Sequence, residues 1–363
     1  MTSLRGGPQC RVGAFAYLPG ILTLVVAAGC GNDPKQPSGS APGSNGSSGT
    51  VRADSGSRES LARFTEVAGA SGVKFMYRDG QEAGHFAILE SLGGGVALFD
   101  FDGDGSLDIF LPGGGRYGEN KEILGLPGAL YRNAGNRSFL DVTRAAGVDE
   151  APYYSHGAAV GDYNNDGFPD LLVTGYGGLQ FYRNHGDGTF VEAARNAALD
   201  DTLWSSSAAW GDLNGDGVLD LYVAHYVNWS FENHPICSSG SDDQREVCPP
   251  KRFEGLPDVL YFGVGDGTFR DGSAEARLMP VGKPPEVSMF DCDKGLGVLL
   301  GDIDLDGDLD IYVANDTVPK FLYRNRGNGV FDEIGGQSGA ALSEMATSDG
   351  SMGLDLGDFN GDG

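Results

Sequence analysis

Four nine-residue stretches hold the residue types best placed to do chemistry: Asp100 to Asp108 (DFDGDGSLD), Asp162 to Asp170 (DYNNDGFPD), Asp212 to Asp220 (DLNGDGVLD) and Asp302 to Asp310 (DIDLDGDLD). A fifth opens at Asp358 and runs through Asn360 and Asp362. Each complete copy has an oxygen-bearing side chain at positions 1, 3, 5 and 9 and glycine at position 6. A hard cation such as calcium asks for that combination, because it takes several oxygen ligands from a short loop that must turn sharply. The expected ligands are Asp100, Asp102, Asp104 and Asp108; Asp162, Asn164, Asp166 and Asp170; Asp212, Asn214, Asp216 and Asp220; and Asp302, Asp304, Asp306 and Asp310. The carbonyl of position 7 (Ser106, Phe168, Val218 or Asp308) and water would complete each shell, giving one structural Ca2+ per loop. Aspartate and asparagine also close turns without any metal, but copies sharing one register favour metal binding.

An EF-hand loop shares this opening but ends in glutamate at position 12 and is flanked by helices. Here position 12 is Leu111, Val173, Val223 or Val313, and each loop runs into a β-rich stretch: DIFLPG, DLLVTG, DLYVAH or DIYVAN. The loops therefore join strands. The second copy shows a whole unit, HGAAVGD, the loop, DLLVTGYG, LQFYRN, a turn, and TFVEAA. Its closing hairpin recurs as LYRNAGNRSFLDV, LYFGVGDGTFRDG and LYRNRGNGVFDEI. A four-stranded unit repeated about every fifty residues is the signature of a propeller blade. The fold expected is all-β, a β-propeller with four complete blades and part of a fifth.

Small residues mark the strand ahead of each loop. Five positions before the first Asp stand Gly95, Gly157, Ser207, Gly297 and Gly353. Glycine inside a strand is expected where backbones approach closely, as the innermost strands of a propeller do. The residues just ahead, Glu90, Tyr154, His156, Trp204, Ser206 and Lys294, should then gather on one face at the channel mouth, and Glu90, His156, Trp204 and Lys294 are the candidate ligand contacts. Loop packing would equally account for them. Trp210 and the strand Phe and Tyr residues read as core.

Between Val227 and Leu256 the third unit carries an insertion containing Cys237 and Cys248, expected to form a disulfide in an exported protein. Long insertions on a rigid scaffold often carry function; a purely stabilising bridge is the other reading. Cys292 is left over. Catalysis finds little support. The histidines His85, His156, His185, His225 and His234 have no paired spacing, and neither Ser155 nor Ser205 to Ser207 lies in a nucleophile elbow. The protein is not expected to be an enzyme.

At the amino terminus Arg5 and Arg11 precede an apolar run from Val12 to Ala28, which reads as a secretory signal, and Cys10 would leave with it. Residues 31–60 are rich in Gly, Ser and Pro and read as a flexible tether. The globular part occupies residues 61–363, and the segment Arg63 to Val67 reads as an outer strand. With 51 acidic against 25 basic residues the net charge is -26, which disfavours nucleic acid as a partner.

The run AAGC, Ala27 to Cys30, resembles the lipobox of bacterial lipoproteins, which implies a signal over residues 1–30 and lipid on Cys30. The loops with their flanking strands resemble FG-GAP or VCBS repeats of the integrin-α type. FTEVAGASGV (64 to 73), ESLGGGVALFDFDGDGSLD (90 to 108), FLDVTRAAGV (139 to 148) and WSSSAAWGDLNGDGVLDLYVAHYV (204 to 227) look like the bacterial relatives of cartilage acidic protein and UnbV. The resemblance implies a seven-bladed propeller, often followed by an ASPIC/UnbV domain; the stop at Gly363, inside a loop, reads as a fragment's end. The combined expectation is an exported lipoprotein, periplasmic or at the cell surface, held to a membrane and binding a protein or carbohydrate. The alternatives are a propeller enzyme acting on polysaccharide, a lyase or hydrolase, and an accessory factor in natural-product biosynthesis.

Overall fold

The computed structural model describes residues 64–239, 244–278 and 293–357. The signal and tether, Cys30, Cys292, Asp358, Asn360 and Asp362 lie outside the described residues.

The first sheet contains β1 (Ala97–Phe99) and β2 (Asp108–Leu111), and after an inserted hairpin of β3 (Gly115–Tyr117) and β4 (Ile123–Gly125) it is completed by β5 (Ala129–Asn133) and β6 (Phe139–Asp141). The second comprises β7 (Tyr154–Gly161), β8 (Asp170–Tyr176), β9 (Gly178–Asn184) and β10 (Phe190–Glu192). The third has β11 (Ser205–Gly211) and β12 (Asp220–His225), an inserted hairpin of β13 (Cys237–Ser239) and β14 (Gln244–Glu246), then β15 (Val259–Gly263) and β16 (Phe269–Asp271). The fourth comprises β17 (Gly295–Gly301), β18 (Asp310–Asn315), β19 (Phe321–Asn325) and β20 (Phe331–Glu333). All four are antiparallel meanders whose first strands stand side by side, β11 between β7 and β17. They are four blades of a β-propeller.

Alternation explains why each second strand reads as an unbroken apolar run. On β8, Leu171 and Val173 pack into the cluster shared with the first blade, whereas Leu172 packs into the cluster shared with the third. On β12, Leu221 and Val223 face the second blade while Tyr222 and Ala224 face the fourth. A strand buried on both faces loses the polar side of its pattern. The fourth strands keep it: β10 and β16 each bury only their first residue. Truncating Leu172, fully buried, to alanine should cost about 2–5 kcal/mol.

The small residues of the first strands are there for close approach. A Cβ on Gly157 would meet the Ser206 carbonyl at 2.8 Å, and one on Gly297 would lie closer still to the Met352 carbonyl. Hydrogen bonds also cross here, from Gly95 N–H to the His156 carbonyl at 2.6 Å and from Ser206 Oγ to the Gly295 carbonyl at 2.7 Å.

One expected strand, Arg63 to Val67, is absent among the described residues, which begin at Phe64. Residues 64–67 form no strand and Phe64 is 98% exposed, although the sequence-similar Phe139–Asp141 pairs with β5. The pattern needs a partner strand alongside, and none lies beside residues 64–67 among the described residues. The helix after each segment does form, as α1 (Ala68–Ser71) and α2 (Thr143–Ala146), each closed by a glycine in the left-handed region.

Candidate functional site

The acidic loops are the connections between first and second strands, so all four lie at one end of the blades. Their internal bonding is uniform. The position 1 carboxylate accepts the N–H groups of positions 5 and 6, as Asp100 does from Asp104 (3.1 Å) and Gly105 (2.8 Å), and Asp162 from Asp166 (3.0 Å) and Gly167 (2.8 Å). Asp212 and Asp302 do the same. Position 6 must be glycine for this turn, since Gly105, Gly167, Gly217 and Gly307 have φ of 86°, 89°, 84° and 99°. The position 5 carboxylate accepts the N–H of position 7.

Position 9 is the first residue of the second strand, where Asp108, Asp170, Asp220 and Asp310 are buried. One oxygen of each accepts the N–H of position 2, from Phe101, Tyr163, Leu213 and Ile303. The other accepts a backbone N–H from the end of the third strand: Asn133, Asn184, Gly263 and Asn325. Burial pushes Asp108 and Asp220 up to about 6 and Asp170 up to about 7; these N–H groups oppose the shift and the neighbouring loop aspartates add to it.

Carboxylate oxygens of Asp100, Asp102 and Asp108 lie within 4.8 Å of one another, as do those of Asp302, Asp304 and Asp310. Asp102 Oδ1 is buried and has no hydrogen-bond partner. In the middle loops the position 3 asparagine turns its amide to position 5, Asn164 Nδ2 to Asp166 Oδ2 at 2.9 Å and Asn214 Nδ2 to Asp216 Oδ2 at 3.0 Å. That leaves Asn164 Oδ1 and Asn214 Oδ1 accepting from the position 5 N–H.

A set of residues that sequence reasoning left unassigned fastens these loops. Asn184 Nδ2 donates to Pro169 O in its own loop and to Phe101 O in the preceding one, at 3.1 and 2.8 Å. Asn325 repeats this with Leu309 O and Leu213 O, at 3.0 and 2.8 Å. The signal was present, as the asparagine closing each YRN triplet. Its bond to a loop far away in sequence could not be read from the triplet alone.

At the opposite end the structure changes the picture of the channel mouth. Glu90, Tyr154, His156, Trp204, Ser206 and Lys294 are between 0% and 8% exposed, so none forms an open rim. The segment around Ala87–Leu89 and both insertions cover Tyr154 and Trp204, in one cluster with Tyr226, Trp229, the two cysteines and Phe253. His156 is sandwiched between Tyr154 and Trp204, ring centroids 5.1 and 5.8 Å away, and burial holds it neutral with its pKa lowered to about 3. His156 also lines an axial cavity of about 160 Å³ with Gly93 to Gly95, Gly157, Ser206, Ser207 and Gly297. Cys237 and Cys248 are disulfide-bonded, with Cα atoms 5.3 Å apart.

His225 sits in a buried polar knot. Its Nδ1 faces the Pro257 carbonyl at 2.5 Å and its Nε2 faces Asp201 Oδ2 at 2.7 Å. A carbonyl and a carboxylate both call for a donor, so both nitrogens carry protons and the ring is cationic. Burial alone would lower its pKa, but Asp201 and Asp258 outweigh that and raise it. Ser205 Oγ donates to Asp201 at 3.1 Å, not to the imidazole, so the trio has no serine–base hydrogen bond.

The family model of the FG-GAP-like repeat matches residues 100–173, 162–223 and 302–363. Cartilage acidic protein 1 of Mus musculus is 36% identical over 52 residues, 14% of this chain and 8% of the mouse protein. Among solved structures, a lectin from Agrocybe aegerita, described as specifically recognising non-reducing terminal N-acetylglucosamine, is 19% identical and superposes with a TM-score of 0.28. That superposition covers 65% of this chain and 64% of the lectin chain, and at this score it carries no argument. The chain thus spans under two thirds of each.

Proposed function

Because the chain belongs to the FG-GAP-like repeat proteins, we infer that it is a calcium-stabilised β-propeller binding module, exported and held at a membrane through Cys30 and the tether of residues 31–60. The observation that carries the calcium reading is the repeated loop itself. Four loops hold oxygen ligands in one register on glycine-built turns, with the position 9 carboxylate buried and fixed by two backbone donors. The donor set is all oxygen, as a hard cation prefers, and the buried, unpartnered Asp102 Oδ1 lies in the first carboxylate cluster. Asp108, Asp170, Asp220 and Asp310 would hold the ion from the strand side, and the residues at positions 1, 3 and 5 from the loop side. The ion would neutralise carboxylates that burial and mutual repulsion otherwise disfavour in their charged form.

The role of calcium here is structural and the role of the propeller is recognition of a protein or carbohydrate. No helix among the described residues is long and apolar enough to cross a membrane. Calorimetric titration of the chelator-stripped protein tests the reading. Several calcium ions should bind with affinities on the order of 10⁻⁴ to 10⁻³ M, the range of extracellular modules. A flat titration at millimolar calcium would remove it.

A further inference from the structure

The covered end of the blades carries two cations held over aromatic rings. Lys121, on the turn between β3 and β4, places its Nζ 5.1 Å from the ring centre of Phe231 in the second insertion. Arg245, on β14, lies over Phe86 at 5.4 Å. Between them runs a floor of packed rings, His85 on Tyr117 (4.9 Å) and on Phe231 (5.1 Å), and Phe231 on Trp229 (5.1 Å) and His234 (6.2 Å).

Three observations mark this floor as a place for an anion. Of the described cations, Arg78, Arg132, Arg270, Arg324 and Arg326 pair with carboxylates, whereas others, Arg137 and Arg195 among them, do not. Lys121 and Arg245 form no ion pair among the described residues. His234 then leaves one of two donors, Trp229 Nε1 or Arg245 Nη2, short of an acceptor. Trp229 Nε1, a donor only, points at His234 Nδ1 (3.1 Å), and Arg245 Nη2, also a donor only, points at Nε2 (2.9 Å). A neutral imidazole has one accepting nitrogen, so it cannot serve both. Lastly, among the described residues the charges that bear on His85 and His234 include both cations and no carboxylate; burial and then these cations lower the pKa of each ring, opposed at His234 by a hydrogen bond to the His85 backbone. The Cys237–Cys248 bridge fixes the hairpin that carries Arg245.

We propose that Lys121 and Arg245, with Phe86, Phe231, His85 and His234, form a binding surface for a carboxylate-bearing polysaccharide. The proposal rests on the binding-module reading and names its ligand. A uronate presents a carboxylate beside the flat C–H face of a sugar ring, which matches cations held over Phe231 and Phe86 with the half-buried rings of His85, Tyr117 and His234 beside them. An acidic peptide matches the charge but makes no use of the rings.

The test is calorimetric titration of the calcium-loaded whole chain with a glucuronate hexamer, its uncharged methyl ester and a hexaglutamate. The glucuronate should bind and weaken as salt screens the charges. The ester, and the variant Lys121→Glu/Arg245→Glu against glucuronate, should each bind about tenfold more weakly or worse. Reversing two exposed cations that take no part in the ring cluster, Arg137→Glu/Arg195→Glu, should leave binding within about twofold, because exposed charges are screened by salt. Hexaglutamate binding as tightly as glucuronate would overturn the polysaccharide class in favour of an acidic peptide. Equal binding by the Lys121/Arg245 variant, or no glucuronate binding by a protein that melts normally with calcium, would overturn the site while leaving the calcium reading intact.

Discussion

The two ends of the blades are built on opposite plans. At the loop end every blade repeats the same nine positions, bonded the same way, so that Asp108, Asp170, Asp220 and Asp310 occupy equivalent buried places. At the other end almost nothing repeats. The first and third blades carry different inserted hairpins, β3–β4 and β13–β14, and the segment from Tyr77 to Leu92 joins both in a single apolar cluster. Repetition suits a task that each blade must perform alike, which is to hold neighbouring sheets together. Departure from the repeat suits a task performed once, such as contact with a partner.

Chelation should separate the two ends most widely. If calcium is bound at the loops, EDTA removes a stabilising ligand from all of them, and melting should fall by on the order of 10 °C or more. Opening the Cys237–Cys248 bridge with Cys237→Ser/Cys248→Ser touches only the inserted hairpin, so the melting temperature should move by no more than about 5 °C, the loop-closure value for so short a ring. Differential scanning calorimetry of both, with and without calcium, reads the contrast directly. A melting temperature indifferent to EDTA would erase the distinction between the ends.

Much of the loop end was legible in the sequence because its chemistry is local. The glycine at position 6, the spacing of the aspartates and the apolar run after position 9 lie within a dozen residues, and they fixed strand, turn and blade. The covered end was not legible because its contacts are remote. Nothing in the order of Ala87 to Leu89 says that these residues will lie with Trp204, Trp229 and Phe253, yet that packing takes Tyr154 and Trp204 out of solvent. The same limit hid Asn184, whose triplet is visible but whose bond to Phe101 O spans 83 positions.

Single substitutions in one loop sharpen the loop-end account. Asp170→Ala strands the N–H groups of Tyr163 and Asn184, and should cost about 3–5 kcal/mol with or without calcium. Asp166→Ala removes an exposed carboxylate whose hydrogen bonds stay within its own loop, from Phe168 N–H and Asn164 Nδ2. In EDTA its cost should stay below about 1 kcal/mol, rising when calcium is restored. Urea unfolding in both conditions gives the pair of values. An Asp166 variant equally destabilised in both would mean that the turn, not an ion, is what the carboxylate supports.

A smaller effect is expected midway between the ends, where the first strands touch. Gly157→Val would drive side-chain atoms into the Ser206 carbonyl and Thr174 Oγ1, both under 3 Å from an added Cβ, and should cost about 1–3 kcal/mol. The same change at Gly69, where a Cβ meets nothing within 4 Å, should cost less than about 1 kcal/mol. Equal losses at the two positions would argue against close approach as the reason for glycine on the inner strands.

The smallest expected effect is a slope, and it belongs to the covered end. His225 has a raised pKa, since Asp201 and Asp258 outweigh the burial that would lower it. Its contribution is therefore complete below the ordinary histidine value of 6.5 and is lost as pH rises through the higher folded value. Asp201 has a lowered pKa, because the hydrogen bond and charge of His225, with the Leu203 N–H and Ser205, override its own burial. Its contribution is complete above the ordinary aspartate value of 3.8 and is lost as pH falls through the lower folded value. The pair is thus at full strength between those two ordinary values. With calcium held constant, the melting temperature of the native protein should decline as pH rises above 6.5. His225→Gln cannot lose a proton there, so its curve should start lower and run flatter over the same range. Parallel curves for the two proteins would place the alkaline decline in other groups and show that the imidazole is held neutral.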